Sequence, residues 1–76
     1  MINYSDNLEH RATVAEHIES IGYILKEFTK NNTPEDIALC SDVLEHIAEA
    51  LGALHEKNRG DIVTLEYSDM VGFIIK

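Results

Sequence analysis

The chain has 76 residues, of which 14 are acidic and 6 are basic, and its formal net charge is −8 at pH 7. A chain of this length forms one domain at most, here residues 1–76, and its core supplies only about 3–5 kcal/mol. The negative charge argues against direct binding to nucleic acid or to an anionic membrane, because both need a basic patch. It is compatible with a protein partner that has a basic surface.

Cysteine content and hydropathy predict the compartment. The single cysteine, Cys40, excludes an internal disulfide and is typical of a reducing environment. The N-terminal segment turns polar too early for a secretory signal peptide, and no apolar run approaches the roughly 18 residues of a membrane span. We therefore expect a cytoplasmic protein. Without a disulfide, we expect added stability from oligomerisation or from a larger partner.

The first predicted element is a helix over residues 6–30. Ser5, Asp6 and Asn7 are favourable N-caps, and Asp6 with Glu9 approximates a capping box. Apolar residues then recur at alternating steps of four and three, which is a heptad-like pattern. This apolar row consists of Val14, Ile18, Ile21, Leu25 and Phe28.

A second helix is predicted over residues 33–58. Thr33 is a suitable N-cap, and Pro34 then occupies the first helical position, where proline loses no hydrogen bond. Gly60 is a natural stop after the helix. Two long helices joined by two residues must fold back on each other as an antiparallel helical hairpin. The apolar row of the second helix is Ile37, Cys40, Leu44, Ile47, Leu51 and Leu54.

The tail, residues 61–76, has two possible interpretations. As a helix, it would place its apolar residues on one face, with Asp61 as the cap. As a β-hairpin, it would form strands over 62–67 and 71–75, which are rich in β-branched and aromatic residues. An isolated hairpin is only marginally stable. We therefore predict a mostly α protein with a short C-terminal helix, and keep the C-terminal β-hairpin as the alternative.

Both predicted helices have more apolar and small residues than are needed to pack the two helices against each other. Glycine inside a helix costs about 1 kcal/mol relative to alanine, so Gly22 and Gly52 suggest the close approach of another backbone. That backbone belongs to the tail or to a second copy of the chain. We expect a homo-oligomer that completes a helical bundle, most simply a dimer. The expected interface residues are Ala15, Gly22, Tyr23, Ala48 and Gly52.

No pattern typical of catalysis, of a metal site or of a cofactor site is present. Carboxylate-bridged metal sites in helical bundles require a glutamate three residues before a histidine, and no histidine of this chain has one. The glycines form no phosphate-binding loop. We interpret the four histidines as surface or boundary residues. Cys40 lies in the apolar row, where a small buried hydrophobe is expected. We therefore expect that the protein is not an enzyme and that it binds neither a metal nor a cofactor.

The strongest surface feature is a row of carboxylates on the second predicted helix, which we call the acidic ridge. The spacing of its residues along the chain places them on one face of the helix. Two further acidic residues add negative charge on the first helix. The ridge consists of Asp42, Glu45, Glu49 and Glu56, and the two further acids are Glu16 and Glu19. Such a face favours docking on a basic protein site, since complementary charge speeds association.

Two classes of function remain open on this sequence. The first is a non-enzymatic acidic protein-interaction module that binds and modulates or inhibits a larger protein, for example one that handles nucleic acid. The alternative is a helical oligomer that binds or sequesters a small ligand at its subunit interface. In that alternative, Tyr23, Tyr67, Arg11 or the histidines would line the pocket.

Overall fold

The computed structural model describes residues 2–4 and 7–76, which form three helices and one antiparallel sheet of three strands. The protein is predominantly helical, as expected, but its fold is mixed rather than mostly α. In chain order the elements are β1 (His10–Thr13), α1 (Val14–Asn31), α2 (Pro34–Leu39), α3 (Ser41–His55), β2 (Ile62–Ser68) and β3 (Gly72–Ile75).

The helices lie on one face of the sheet. Strand β2 is central, with β1 and β3 antiparallel on either side of it. Helices α1 and α3 pack against each other, and α3 also packs against β3. The core lies between these two layers and is built from alternate residues of β2 and from one face of each long helix. Its buried members are Tyr4, Val14, Ile21, Ile47, Ala50, Leu54, Val63 and Leu65.

The first long helix begins at Val14, so the prediction of helix is wrong over residues 7–13. Thr13 is the N-cap: its side chain accepts from the Glu16 N–H, while the Glu16 carboxylate reaches back to the Thr13 N–H. This capping box stops the helix from extending further toward the N-terminus. The preceding residues instead extend as β1, because β2 offers them an antiparallel partner. The caps expected at Ser5 and Asp6 lie outside the described residues.

The second predicted helix is two helices, with an interruption at Cys40. Its expected start is confirmed, since Thr33 caps α2 in a capping box with Asp36, and Pro34 is the first helical residue. The Cys40 N–H then bonds to the Ile37 carbonyl three residues back, which breaks the four-residue pattern. The apolar row continues in α3, which ends at His55. Cys40 is half-buried at this break rather than fully buried in a continuous helix.

The C-terminal helix is also wrong, and the alternative β-hairpin is what the chain forms. Tyr67 pairs with Phe73 and Leu65 pairs with Ile75, so these side chains share the face covered by the helices. Gly72 has a φ of +88°, a conformation that L side chains rarely adopt and that supports the turn before β3. The third strand, β1, was not predicted.

Within the described residues, no helix is both long enough and apolar enough to cross a bilayer.

Candidate functional site

The acidic ridge lies on the side of α3 that faces away from the core. Ile47, Ala50 and Leu54 are the buried residues of this helix, and their spacing places them on one stripe. The four ridge carboxylates are all exposed: three lie on the opposite stripe, and Glu56 lies at the C-cap of the helix. No ion pair in the described part of the chain involves any of them. Their charge is therefore available to a partner.

The two further acids of the predicted interaction set lie on α1, away from the ridge. Glu16 and Glu19 are exposed, and they line an open depression of about 450 Å³ together with Ile2, Ser20 and Tyr23. The Glu16 carboxylate also accepts from the Thr13 hydroxyl at 2.9 Å. It therefore helps to start α1, and its loss would affect the helix as well as the surface charge.

The ion pairs among the described residues lie at the sheet instead. Lys76 pairs with Glu9, and with Glu66 at 3.3 Å. The hydrogen bonds that Lys76 donates to these two carboxylates, first to Glu9 and then to Glu66, raise the pKa of Lys76 above its ordinary value. The pairs are exposed, so they contribute little to stability.

A second and smaller cavity lies beside the ridge, and we call it the aromatic cavity. It has a volume of about 150 Å³ and is framed by α1, α3, the sheet and the N-terminal segment. Phe73 links three of its rings, since it makes edge-on contacts with both Tyr4 and Tyr67. The lining residues are Tyr4, Ile24, Val43, His46, Ile47, Tyr67 and Phe73.

His46 is the polar side chain of α3 in this lining. Its Nδ1 atom is buried and has no hydrogen-bond partner among the described residues. Gly72 packs closely against the ring, because a Cβ built there would lie 2.8 Å from both Cγ and Cδ2 of His46. Most buried polar atoms in proteins are paired, so an unpaired imidazole nitrogen beside a cavity is informative.

His17 corrects the interpretation of the histidines as surface or boundary residues, because it is completely buried. Its Nε2 lies 3.0 Å from the Val63 carbonyl oxygen, which can only accept, so Nε2 carries the proton. Its Nδ1 lies 2.6 Å from the Tyr4 hydroxyl, which therefore donates to it. Both ring nitrogens are satisfied, and His17 ties the N-terminal segment and β2 to α1.

Alkaline titration tests this buried pair. Burial raises the pKa of Tyr4 from 10.0 to about 12, with a smaller opposing effect from Ser20. Between these two values the folded protein keeps a proton that the unfolded chain has lost. The stability contributed by Tyr4 is therefore complete below pH 10.0 and is lost as the pH approaches 12.

We expect the free energy of unfolding, measured with urea, to fall with pH across this window more steeply in the wild type than in Tyr4→Phe. The substitution keeps the ring and removes the titrating hydroxyl. Parallel pH profiles of the two proteins would contradict the buried position of the hydroxyl.

The residues expected at an oligomer interface are only partly buried or exposed in the protomer. Gly22 and Ala15 are half-buried, whereas Tyr23, Ala48 and Gly52 are exposed. The β-hairpin does not cover the two helical glycines, since a Cβ at either would meet no heavy atom of the described chain within 4 Å. Among the described residues there is thus no close backbone approach to explain these glycines, and the expected homo-oligomer stays a prediction.

The residues expected around a small ligand do not converge in the protomer. Tyr23 and Tyr67 line different cavities, and Arg11 is an exposed residue of β1. His46 and Tyr67 do meet, at the aromatic cavity. In the described ranges no group of three or more His, Cys, Asp or Glu residues is arranged to hold a metal ion.

Sequence reasoning missed Tyr4 and Phe73 as site residues. Tyr4 precedes the first predicted helix, and Phe73 lies in the tail that we predicted as a helix. The usable signal was the β-branched and aromatic content of the tail, which indicated the hairpin that carries Phe73. Nothing local indicated that Tyr4 would reach His17.

Comparisons with protein-family models, with curated proteins and with solved structures find no match to this chain.

Proposed function

We propose that this protein is a non-enzymatic interaction module that binds a larger protein through the acidic ridge and modulates or inhibits it. The partner presents a basic surface, such as the site with which a nucleic-acid-handling protein contacts phosphates. The observation that carries the proposal is the exposure of all four ridge carboxylates, three of them on one stripe of α3 and Glu56 at its C-cap, with none of them in an ion pair within the described chain.

Electrostatics support this choice. The formal net charge of −8 steers a basic partner toward the protein, and the ridge gives that attraction a defined face. The core-facing stripe of α3 fixes the helix, so its outer stripe is rigid and loses little conformational entropy on binding. The same charge opposes direct binding to nucleic acid.

Charge reversal on the ridge tests the proposal. The triple variant Asp42→Lys, Glu45→Lys and Glu49→Lys changes the formal net charge from −8 to −2, because each substitution adds two charges. We expect it to lose binding to the partner that the wild type captures from extract of the native host, by about ten-fold or more in affinity. Binding of the wild type should also weaken steeply with salt.

A matched control separates the ridge from net charge. Glu27→Lys, Glu35→Lys and Asp61→Lys make the same change in charge at positions outside the ridge. We expect this control to lose much less affinity than the ridge variant for the same captured protein, identified by mass spectrometry and remeasured with purified components. Equal affinities of the two triple variants would refute docking through the ridge.

A further inference from the structure

The sheet has two edge strands, β1 and β3, and the backbone of β3 is open on its outer side. In an antiparallel ladder, alternate residues of an edge strand direct their N–H and C=O groups away from the neighbouring strand. The Lys76 N–H donates to the Thr64 carbonyl on β2 at 2.9 Å, so Lys76 and, two residues before it, Ile74 face β2. The outward-facing residues of β3 are therefore Phe73 and Ile75. No described residue bonds to these outward backbone groups.

The edge formed by β1 is protected, in contrast. The Val14 N–H donates to the Asp61 carbonyl at 2.8 Å, so the same alternation directs Arg11 and Thr13 outward. The Thr13 N–H already donates to the Glu16 carboxylate, and α1 begins at the next residue. The other outward residue, Arg11, is charged, and charged side chains discourage pairing with another strand. The two edges of the sheet are thus not equivalent.

The side chains of β3 offer no such protection. The strand has the sequence GFII, which contains no charge and no proline, the residues that usually keep an edge strand from pairing with another chain. Phe73 and Ile75 lie on the face covered by the helices and pack against the core. Ile74 lies on the opposite face of the sheet. An open backbone edge is therefore combined with apolar side chains on both faces.

Two copies of β3 complement each other about a two-fold axis at Ile74. In this antiparallel register, Phe73 of each copy lies opposite Ile75 of the second copy and exchanges two backbone hydrogen bonds with it, so four hydrogen bonds form about the axis. Phe73 then meets Ile75 on the helix-covered face, and Ile74 meets its own equivalent on the other face. Lys76 lies opposite Gly72, so the register places no like charges opposite each other.

We propose that a second copy of this chain pairs with the open edge of β3, which joins two three-stranded sheets into one sheet of six strands. A basic partner segment would find no charge on β3 to recognise, whereas the strand pairs apolar with apolar residues of its own copy on both faces. The joined sheet also extends the core of a chain whose own core is small. This interface is separate from the helical residues expected at an oligomer interface, and it does not depend on the proposed function.

Charge opposes this association and determines how it responds to salt. Each copy has a formal net charge of −8. Helix α3 packs against β3, so the two acidic ridges lie on the same side of the joined sheet and repel each other. Salt screens this repulsion. Dimerisation should therefore strengthen with salt, whereas docking through the ridge should weaken with it.

Sedimentation of the full chain over a range of concentrations measures the dimer. We expect about half of the chains to be dimeric near about 0.1 mM in about 0.5 M NaCl, because the cost of association offsets most of what the hydrogen bonds and apolar pairs contribute. The dissociation constant should be about three- to ten-fold higher in about 0.05 M NaCl.

Amide hydrogen exchange locates the interface. The Phe73 and Ile75 amides should exchange fast in dilute solution and become protected as the dimer forms. The Ile74 amide, which faces β2, should be protected at every concentration. The Arg11 amide on the opposite edge should remain unprotected, which makes it the internal control.

Charge exchange at the two-fold axis tests the register. Ile74→Lys and Ile74→Glu each place two like charges opposite each other, so each variant alone should weaken the dimer by about five- to ten-fold. An equimolar mixture of the two should recover dimerisation as a mixed dimer, because opposite charges then meet. Thr64→Lys and Thr64→Glu lie on the same face of the sheet but in the central strand, so these control variants should dimerise as the wild type does.

The outcomes decide the proposal and separate it from docking through the ridge. A chain that remains a single copy at about 1 mM in high salt refutes the second copy as the occupant. So does protection of the Phe73 and Ile75 amides only after the captured partner is added, which would mean that the edge receives a foreign strand. If the two Ile74 variants remain folded by circular dichroism and their mixture does not dimerise, the register is wrong. None of these results alters the comparison of the ridge variant with its control.

Discussion

Replacing Leu54 with alanine is expected to destabilise the protein by about 2–5 kcal/mol and to leave much of it unfolded. Leu54 is fully buried in α3 and belongs to the core between the helices and the sheet. Its truncation removes buried apolar contact and leaves a cavity that the surrounding side chains fill only in part. A core in a chain of this size supplies about 3–5 kcal/mol, so the loss is comparable to the whole stability.

The matched control is the same substitution at Leu39 in α2. This side chain is 84% exposed, so Leu39→Ala should change the free energy of unfolding by no more than about 0.5 kcal/mol. Urea titrations followed by circular dichroism measure both variants. If the two substitutions have equal effects, Leu54 does not lie in the core as described.

Replacing Gly72 with alanine is expected to cost about 2–4 kcal/mol, from two physical causes. First, Gly72 has a φ of +88°, where a residue with a Cβ is strained. Second, the added Cβ would lie 2.8 Å from Cγ and Cδ2 of His46, a separation that requires the ring or the strand to move. Urea unfolding measures the cost. The NMR signals of His46 should shift, because its ring is displaced.

Two controls separate the backbone strain from the steric conflict as causes of the destabilisation by Gly72→Ala. Gly60→Ala adds a methyl group that meets nothing within 4 Å, so it should be close to neutral. In a His46→Ala background the ring contacts are removed and only the Cβ of residue 46 stays close, at 3.2 Å, so Gly72→Ala should then cost mainly the backbone strain, about 1–2 kcal/mol. An equal cost in both backgrounds would mean that the imidazole does not pack against Gly72.

Helical periodicity, caps and composition predicted a large part of this protein. The apolar rows predicted the core-facing stripes of α1 and α3, because a helix face depends only on spacing within one segment. Thr33 and Pro34 predicted the start of α2, since capping is a local interaction. The carboxylate spacing placed the ridge on one exposed stripe. The composition of the tail kept the β-hairpin open as the alternative.

Tertiary structure decided the features that depend on distant residues. Residues 10–13 became a strand because β2, more than 45 residues further along, pairs with them, and no local pattern of four residues encodes that partner. His17 is buried because Tyr4 and Val63 satisfy its two nitrogens from 13 and 46 residues away.

The aromatic cavity likewise needed α1, α3 and the hairpin to assemble around it. The sequence alone thus determined which faces are apolar and which are acidic. Only the tertiary structure decided where those faces meet, because strand pairing and cavity lining are contacts between segments that are far apart in the chain.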